Sequence, residues 1–468
     1  MHMAFDCLAR CRPKAGPWPR KSVWLVLIVA LVSLVSSSAL PAPDGAGLLS
    51  FSPLLAKPTA SSIVVNIVAA DAAIVCSVRY RPDTAGSKDS WKETAPTVVN
   101  PFSAASVRID ALHPDTGYEY QVLARPMGQG MGRDQMGKQT EGRFRTQKTG
   151  NGGFSFAIFS DMHITPFDLD RQNVLRRISA SVERREPDFT LMLGDNIQTY
   201  VSHGGPLGDP SQGPQLYMHL RRALGSLPSQ VPLFSAIGNW EGENGWHGAR
   251  QREWARDART AFLPNPDSTT FPEGGSPYQD YYGFTWGDAL FVVLNPLSYT
   301  TTDHTHQKGP GRADEWTLGE AQKKWVYELL SKSKARWKLL FMHHPVGGNA
   351  GNELNSRYGR GGGRAARIGE QALLHSWMKQ FGVQALFYGH DHVFTDMAVD
   401  GIHYVCVGSA GAPWKFETAE TGYEKYWAPS GYTLVDVTTR ELKVSFISPD
   451  EKTSQDVLLH SFVIPANR

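Results

Sequence analysis

Five short stretches carry the residues able to do chemistry. They are Asp161-Met162-His163, Gly194-Asp195-Asn196, Gly238-Asn239-Trp240-Glu241, His343-His344-Pro345 and Gly389-His390-Asp391-His392. The last is the sharpest. Its two histidines stand at i and i+2, straight after an apolar run over 383–388. A turn leaving a strand can bring both imidazoles to one small volume. Together the five offer carboxylate, imidazole and amide oxygen, a ligand set suited to zinc, iron or manganese. Two carboxylates, one amide and four histidines exceed the needs of one metal ion. They suit two ions sharing a bridging carboxylate, about 3.5–4 Å apart. Taken singly, each piece has a plainer reading. A lone His163 is a surface or core histidine, Asn196 is a turn residue, and His203 and His247 are solvated histidines of glycine-rich loops.

Each stretch closes a run that reads as a buried strand: 154–159, 189–193, 231–237, 339–342 and 383–388. Helical periodicity lies between them, at 174–182, 216–227 and 318–330. This alternation predicts an α/β layered fold with its polar residues at the carboxyl ends of strands. Residues 281–294 read as a hairpin turning at Gly287-Asp288, and 432–437 with 442–447 as a second one. Upstream of a glycine-rich linker, Thr149 to Gly153, the strand-like runs 63–68, 74–80 and 105–109 suit an antiparallel sandwich.

The order and content of the five stretches resemble the calcineurin-like metallophosphoesterase superfamily, over roughly residues 153–410. The resemblance implies two mixed sheets flanked by helices, and hydrolysis of phosphoric esters at two metal ions (iron, zinc or manganese). It implies that Asp161, His163 and His392 bind one ion, that Asn239, His343 and His390 bind the other, and that Asp195 bridges them. Asp195, Asn239 and His344 then stand at the catalytic centre, with His343 preferred over His344 as the ligand. The stretch from Leu112 to Val122 resembles the signature of fibronectin type III domains, where a tyrosine anchors a sandwich corner. That domain ahead of the layered one looks like the layout of purple acid phosphatases. Three positions depart from the pattern. Gln198 stands where those enzymes carry a metal-binding tyrosine, His163 has no counterpart in them, and Trp240 replaces the histidine that usually follows Asn239. Indole has one donor and no proton that titrates near neutral pH. His203, His247 and His344 are the candidates for the missing acid. The arginine–glycine run 357–364 precedes a helix and is a candidate anion clamp.

The chain has 468 residues, with 47 basic and 45 acidic side chains and a formal charge of +2. That balance argues against a nucleic-acid footprint, which needs a basic excess, and places an exported nuclease behind the other readings. Five basic residues, Arg10 to Lys21, precede an apolar run over 23–35, and Ser36-Ser37-Ser38-Ala39 follows. This pattern is a secretory signal ending at residue 39, too short for the ~20 residues of a membrane span; an uncleaved anchor is the alternative. Its removal takes five basic residues and one acid, shifting the charge from +2 to −2. Cys76 and Cys406 then remain, in apolar surroundings that favour buried free thiols, with a disulfide between domains as the alternative in an exported protein.

The expected organisation is a signal over 1–39, a linker over 40–57, a fibronectin-like domain over 58–148 and a metallophosphoesterase domain over 153–468. The expected activity is that of an exported hydrolase acting on a small phosphate ester, mono- or diester, with a metal-bridging hydroxide attacking phosphorus. The alternative is a metal-stabilised extracellular binding protein with reduced or lost phosphatase activity. In that reading Trp240 marks the loss.

Overall fold

The computed structural model describes residues 47–83, 90–128, 136–201, 205–206, 212–302, 317–344, 369–413 and 425–466. The expected signal, His203, Pro345 and the run 357–364 lie outside these residues.

Eight strands open the described chain: β1 (Leu54–Ala56), β2 (Ile63–Val68), β3 (Ile74–Pro82), β4 (Lys92–Glu93), β5 (Thr97–Val99), β6 (Ala104–Ile109), β7 (Gly117–Pro126) and β8 (Gly137–Arg145). They form two antiparallel sheets, β1-β2-β6 and β4-β3-β7-β8, with β5 paired to β3. Alternating side chains such as Ile63, Val65, Ile67, Cys76, Val78, Tyr120 and Val122 fill the space between them. The Tyr118 hydroxyl accepts the backbone N–H of His113 at 2.9 Å, which ties the corner of the sandwich. β1 falls within 40–57, the stretch expected as a linker, because Leu54, Leu55 and Ala56 are all buried.

The remaining strands are β9 (Phe154–Phe159), β10 (Phe189–Met192), the two-residue pair β11 (Tyr200–Val201) and β12 (Gly205–Pro206), β13 (Leu233–Ser235), β14 (Tyr282–Trp286), β15 (Ala289–Val293), β16 (Trp337–Met342), β17 (Ala385–Tyr388), β18 (Phe394–Val399), β19 (Ile402–Val407), β20 (Tyr432–Val437), β21 (Glu441–Pro449) and β22 (Asp456–Pro465). Two six-stranded mixed sheets result, β13-β10-β9-β20-β21-β22 and β14-β15-β16-β17-β19-β18. Their inner faces meet in an aromatic core. Phe156 stacks on Phe189 at 5.2 Å and meets Phe291 edge-on at 5.1 Å, while Phe341 stacks on Phe387 at 5.1 Å. Edge and offset geometries of this kind add to the burial energy of the rings.

Helices cover the outer faces. They are α1 (Leu169–Arg185), α2 (Gln212–Leu224), α3 (Leu227–Gln230), α4 (Ala249–Phe262), α5 (Gly319–Lys332) and α6 (Gly369–Phe381). α1 is capped by Asp168, which accepts the Arg171 N–H, and it buries Leu175, Ile178 and Val182. α5 and α6 bury Val326, Leu330, Leu374 and Met378 against the outer residues of β16 and β17. No helix among the described residues is long and apolar enough to cross a membrane.

The sandwich is docked on the layered domain by buried polar contacts. Arg221 of α2 is 1% exposed and donates to Asn66 Oδ1 at 2.8 Å, to Phe262 O at 3.1 Å, and to Asn66 O and Ser52 O at 3.2 Å. Burial with little countercharge pulls its guanidinium down to about 9. The Tyr120 hydroxyl donates to Ser229 O at 3.0 Å, and Lys57 pairs with Asp267 at 2.7 Å. The described residues accordingly form one compact unit.

Candidate metal centre

The ends of β9, β10, β13, β16 and β17 carry the five stretches to one edge of the two sheets. Past their last paired residues the loops stay bonded to one another. His163 N donates to Asp195 O at 2.8 Å, Ile164 N to Asn196 O at 3.2 Å, and His390 N to the Asp161 carboxylate at 2.9 Å. Such close crossing requires glycine at two points. A Cβ on Gly238 would lie 2.2 Å from Asp195 Oδ1, and one on Gly389 would lie 2.1 Å from Ser160 Oγ. Asp161, His163, Asp195, His390 and His392 all take left-handed backbone, with φ between +48° and +74°. Each such residue costs roughly 1–3 kcal/mol, and sites that hold several are sites of function rather than of stability.

Two groups of ligand atoms result, Asp161 with His163 and His392, and Asp195 with His343 and His390. All six residues are buried. In the first group Asp161 Oδ1 stands 3.4 Å from His392 Nε2 and 3.8 Å from His163 Nε2. In the second, His343 Nε2 stands 3.2 Å from Asp195 Oδ2, 3.2 Å from His390 Nδ1 and 3.1 Å from Asn239 Oδ1. Asp195 Oδ2 is also 3.2 Å from His163 Nε2. One carboxylate oxygen therefore faces both groups.

The donor set fits cations. His343 Nδ1 faces Leu193 O at 2.8 Å and His392 Nδ1 faces Pro413 O at 3.0 Å. A carbonyl only accepts, so both Nδ1 atoms carry the proton and both Nε2 atoms turn lone pairs inward. With His343 neutral, the lone pairs of Asp195 Oδ2, Asn239 Oδ1 and His343 Nε2 converge, so either a proton or a metal cation must sit among them. Asp161 Oδ1 and His163 Nε2 are buried with no hydrogen bond among the described residues. The ionisation of the bare chain says the same. Burial opposes charge on both sides, but His392 holds Asp161 well below the usual carboxylate range, and His343 does the same for Asp195. Burial also opposes a charged His343, yet Asp195 outweighs it and pushes that imidazole up to about 9. The two groups form a binuclear metal centre of unspecified metal identity.

The residues around the ligands fix them. Glu241 is fully buried and accepts three backbone N–H groups, from Gly238 at 2.7 Å, Asn196 at 2.7 Å and Asp195 at 3.1 Å. Burial and the neighbouring Asp195 charge raise it to about 7. Arg171 donates to His163 O at 3.2 Å and to Gln198 Oε1 at 2.9 Å, so the residue at the tyrosine position is held by a guanidinium. The Trp240 ring stands edge-on to His163, with centroids 5.7 Å apart. His344 is buried with its ring 4.8 Å from that of His390. His247 turns its Nδ1 to Gly242 O at 3.0 Å, within its own loop. Asn196 is buried and bonds to Glu241 through its backbone. Glu241 lies inside the third stretch, but its tethering role had no signal in the sequence, and neither did that of Arg171.

The family described as Calcineurin-like phosphoesterase matches residues 154–394. No curated protein matches the chain. Among solved structures the chain is similar to "Structure of PhoD", with TM-score 0.70 and 15% identity, covering 91% of this chain and 92% of that one. That likeness is one of fold. GAP50, the anchor in the inner membrane complex of Plasmodium, matches with TM-score 0.44 and 16% identity over 68% of this chain and 90% of that chain. The fibronectin type III domain of human collagen XX matches with TM-score 0.17 and 24% identity over 23% of this chain and 100% of that chain.

Proposed function

The chain belongs to the calcineurin-like phosphoesterase family, and we propose that it is an exported hydrolase of phosphoric esters acting through two metal ions. Asp161, His163 and His392 would hold one ion, and Asn239, His343 and His390 the other, with Asp195 between them. The observation that carries this reading is the position of Asp195 Oδ2, 3.2 Å from His163 Nε2 and 3.2 Å from His343 Nε2. When bound, such a pair supplies Lewis acidity, polarising a phosphoryl oxygen and lowering the pKa of water from about 15.7 toward ~7.

The chain itself supplies position. The Trp240 amide holds Asp195 Oδ1 at 2.9 Å, so only Oδ2 faces the two groups. The carbonyls of Leu193 and Pro413 fix the tautomers of His343 and His392. The indole of Trp240 flanks the centre without a titrating proton, so leaving-group protonation falls to another residue, with His344 the buried imidazole beside His390. The sandwich is read as fibronectin type III-like and the whole as a relative of purple acid phosphatases that lacks the tyrosine. Gln198, engaged by Arg171, supports that part of the reading.

Chelator-stripped and metal-restored protein assayed on para-nitrophenyl phosphate and its bis ester tests the proposal. The expected result is turnover that disappears on stripping and returns with Zn²⁺, Mn²⁺ or Fe²⁺. Metal bound at both sites with neither ester cleaved would favour the binding-protein reading instead.

A further inference from the structure

The loop that follows β13 carries Asn239 and is fastened from behind. Asn244, 1% exposed, donates its side-chain N–H to Asn239 O at 2.7 Å. Its neighbour Glu243 is buried in a two-pronged pair with Arg259 of α4, at 2.5 Å to Nε and 3.0 Å to the second nitrogen. Arg259, wholly buried, also donates to Gln279 O at 2.8 Å and Tyr278 O at 2.9 Å. Gly245 N donates to Leu297 O at 2.9 Å, and a Cβ there would lie 2.3 Å from Thr300 O. The loop is thus anchored on α4, on 278–279 and on 297–300, none of which contributes to the two ligand groups. A carboxylate buried with its arginine fixes its own backbone strongly, since breaking such a pair strands a charge. Here it fixes the residue beside the one that grips Asn239.

We propose that Asn244, held in place by the Glu243–Arg259 pair, is a positioning residue for Asn239. It sets metal affinity at the group of Asp195, His343 and His390 and leaves the group of Asp161, His163 and His392 unchanged. The inference rests on the binuclear reading above. An amide oxygen is a weak, neutral ligand and binds only where its carbonyl is already aimed, so its contribution depends on the supporting residues.

The test is Asn244→Leu, which keeps the branching and number of side-chain heavy atoms and removes the donor. Wild-type and variant proteins are stripped, titrated with Mn²⁺ by calorimetry, and examined by electron paramagnetic resonance. The wild type is expected to take two Mn²⁺ and show a spin-coupled pair. The variant is expected to keep one Mn²⁺ at wild-type affinity, to bind the second at least tenfold more weakly, and to show an uncoupled spectrum at two equivalents. Two wild-type affinities in the variant would overturn the inference. A wild type that takes fewer than two Mn²⁺ would overturn the binuclear reading and this inference with it. Hydrogen exchange on the wild type needs no variant. The amides of Trp240 and Gly245 should exchange equally slowly with and without metal. Protection lost on stripping would mean that the metal orders the loop, which also overturns it.

Discussion

The backbone N–H of Trp240 donates to Asp195 Oδ1 at 2.9 Å. The residue that departs from the family pattern thus orients, through its main chain, the carboxylate that faces both ligand groups. The side-chain change at 240 leaves this contact intact, since any residue but proline supplies the N–H. Asp195→Asn keeps the shape and removes the charge. It should lose at least one metal per chain and reduce kcat by roughly 10²–10³, because stabilisation by positioned charge is usually the largest catalytic contribution. Elemental analysis of the purified variant checks this, and full occupancy would count against Asp195 as the bridge.

Trp240→His restores a titratable donor. An acid contributes about 10²–10⁴-fold, and mainly for poor leaving groups. The substitution should raise kcat/KM for alkyl phosphates more than for aryl phosphates. The measurement is the slope of log kcat/KM against leaving-group pKa in both proteins. Equal slopes would mean that another residue already donates the proton, and His344→Ala should then steepen the slope.

The raised His343 makes metal binding compete with protons. In the metal-free chain this group binds its proton up to about pH 9, against an ordinary value of 6.5. Its contribution to stability is therefore complete below about pH 6.5 and lost as pH rises through about 9. The stripped protein should melt lower at pH 9.5 than at pH 7, and the loaded protein should show a smaller drop. Metal addition at pH 7.5 should release protons, readable as a buffer-dependent calorimetric heat. No proton release would mean that His343 is not a ligand.

Much of the centre was legible because its candidate ligands lie in short stretches at the ends of buried strands; spacing singled out the stretches, and the family resemblance implied their division into two ligand groups. Asp161-Met162-His163 and His390-Asp391-His392 each place ligands two residues apart. What holds those stretches was not legible. Arg221 sits in an amphipathic helix and reads as a surface residue, yet it bonds to Asn66, 155 positions away. β1 is three residues inside a proline-rich stretch, and only its partner β2 makes it a strand. β18, β19 and β22 also went unread. β18 alternates weakly, and β22 is an edge strand whose exposed Val457, Leu458 and Val463 blur the pattern.

Arg221→Met should uncouple the sandwich from the layers. It leaves Asn66 Oδ1 and the carbonyls of Ser52, Asn66 and Phe262 without this donor. Hydrogen bonds to charged groups contribute about 1.5–3 kcal/mol each, not additively, so a loss of roughly 3–5 kcal/mol is expected. Urea unfolding should show a lower midpoint, and limited proteolysis should cut near Gly150 in the variant before the wild type. An unchanged midpoint would mean that the interface stands without it.

Gln198 bonded to Arg171 predicts that an iron-loaded sample shows no visible tyrosinate charge-transfer band. An absorption spectrum of the Fe³⁺ form reads this directly. A band abolished by Tyr200→Phe would place a tyrosine on the metal and contradict the ligand set.

The most direct test of the account is activity measured against metal content. Stripped protein is titrated with Mn²⁺ while hydrolysis of bis(para-nitrophenyl) phosphate and para-nitrophenyl phosphate is followed, with bound metal counted at each point. The account predicts that turnover of at least one ester appears only as the second ion binds, and reaches its plateau at two per chain. Turnover by fully stripped protein, or two bound ions with neither ester cleaved, would contradict it.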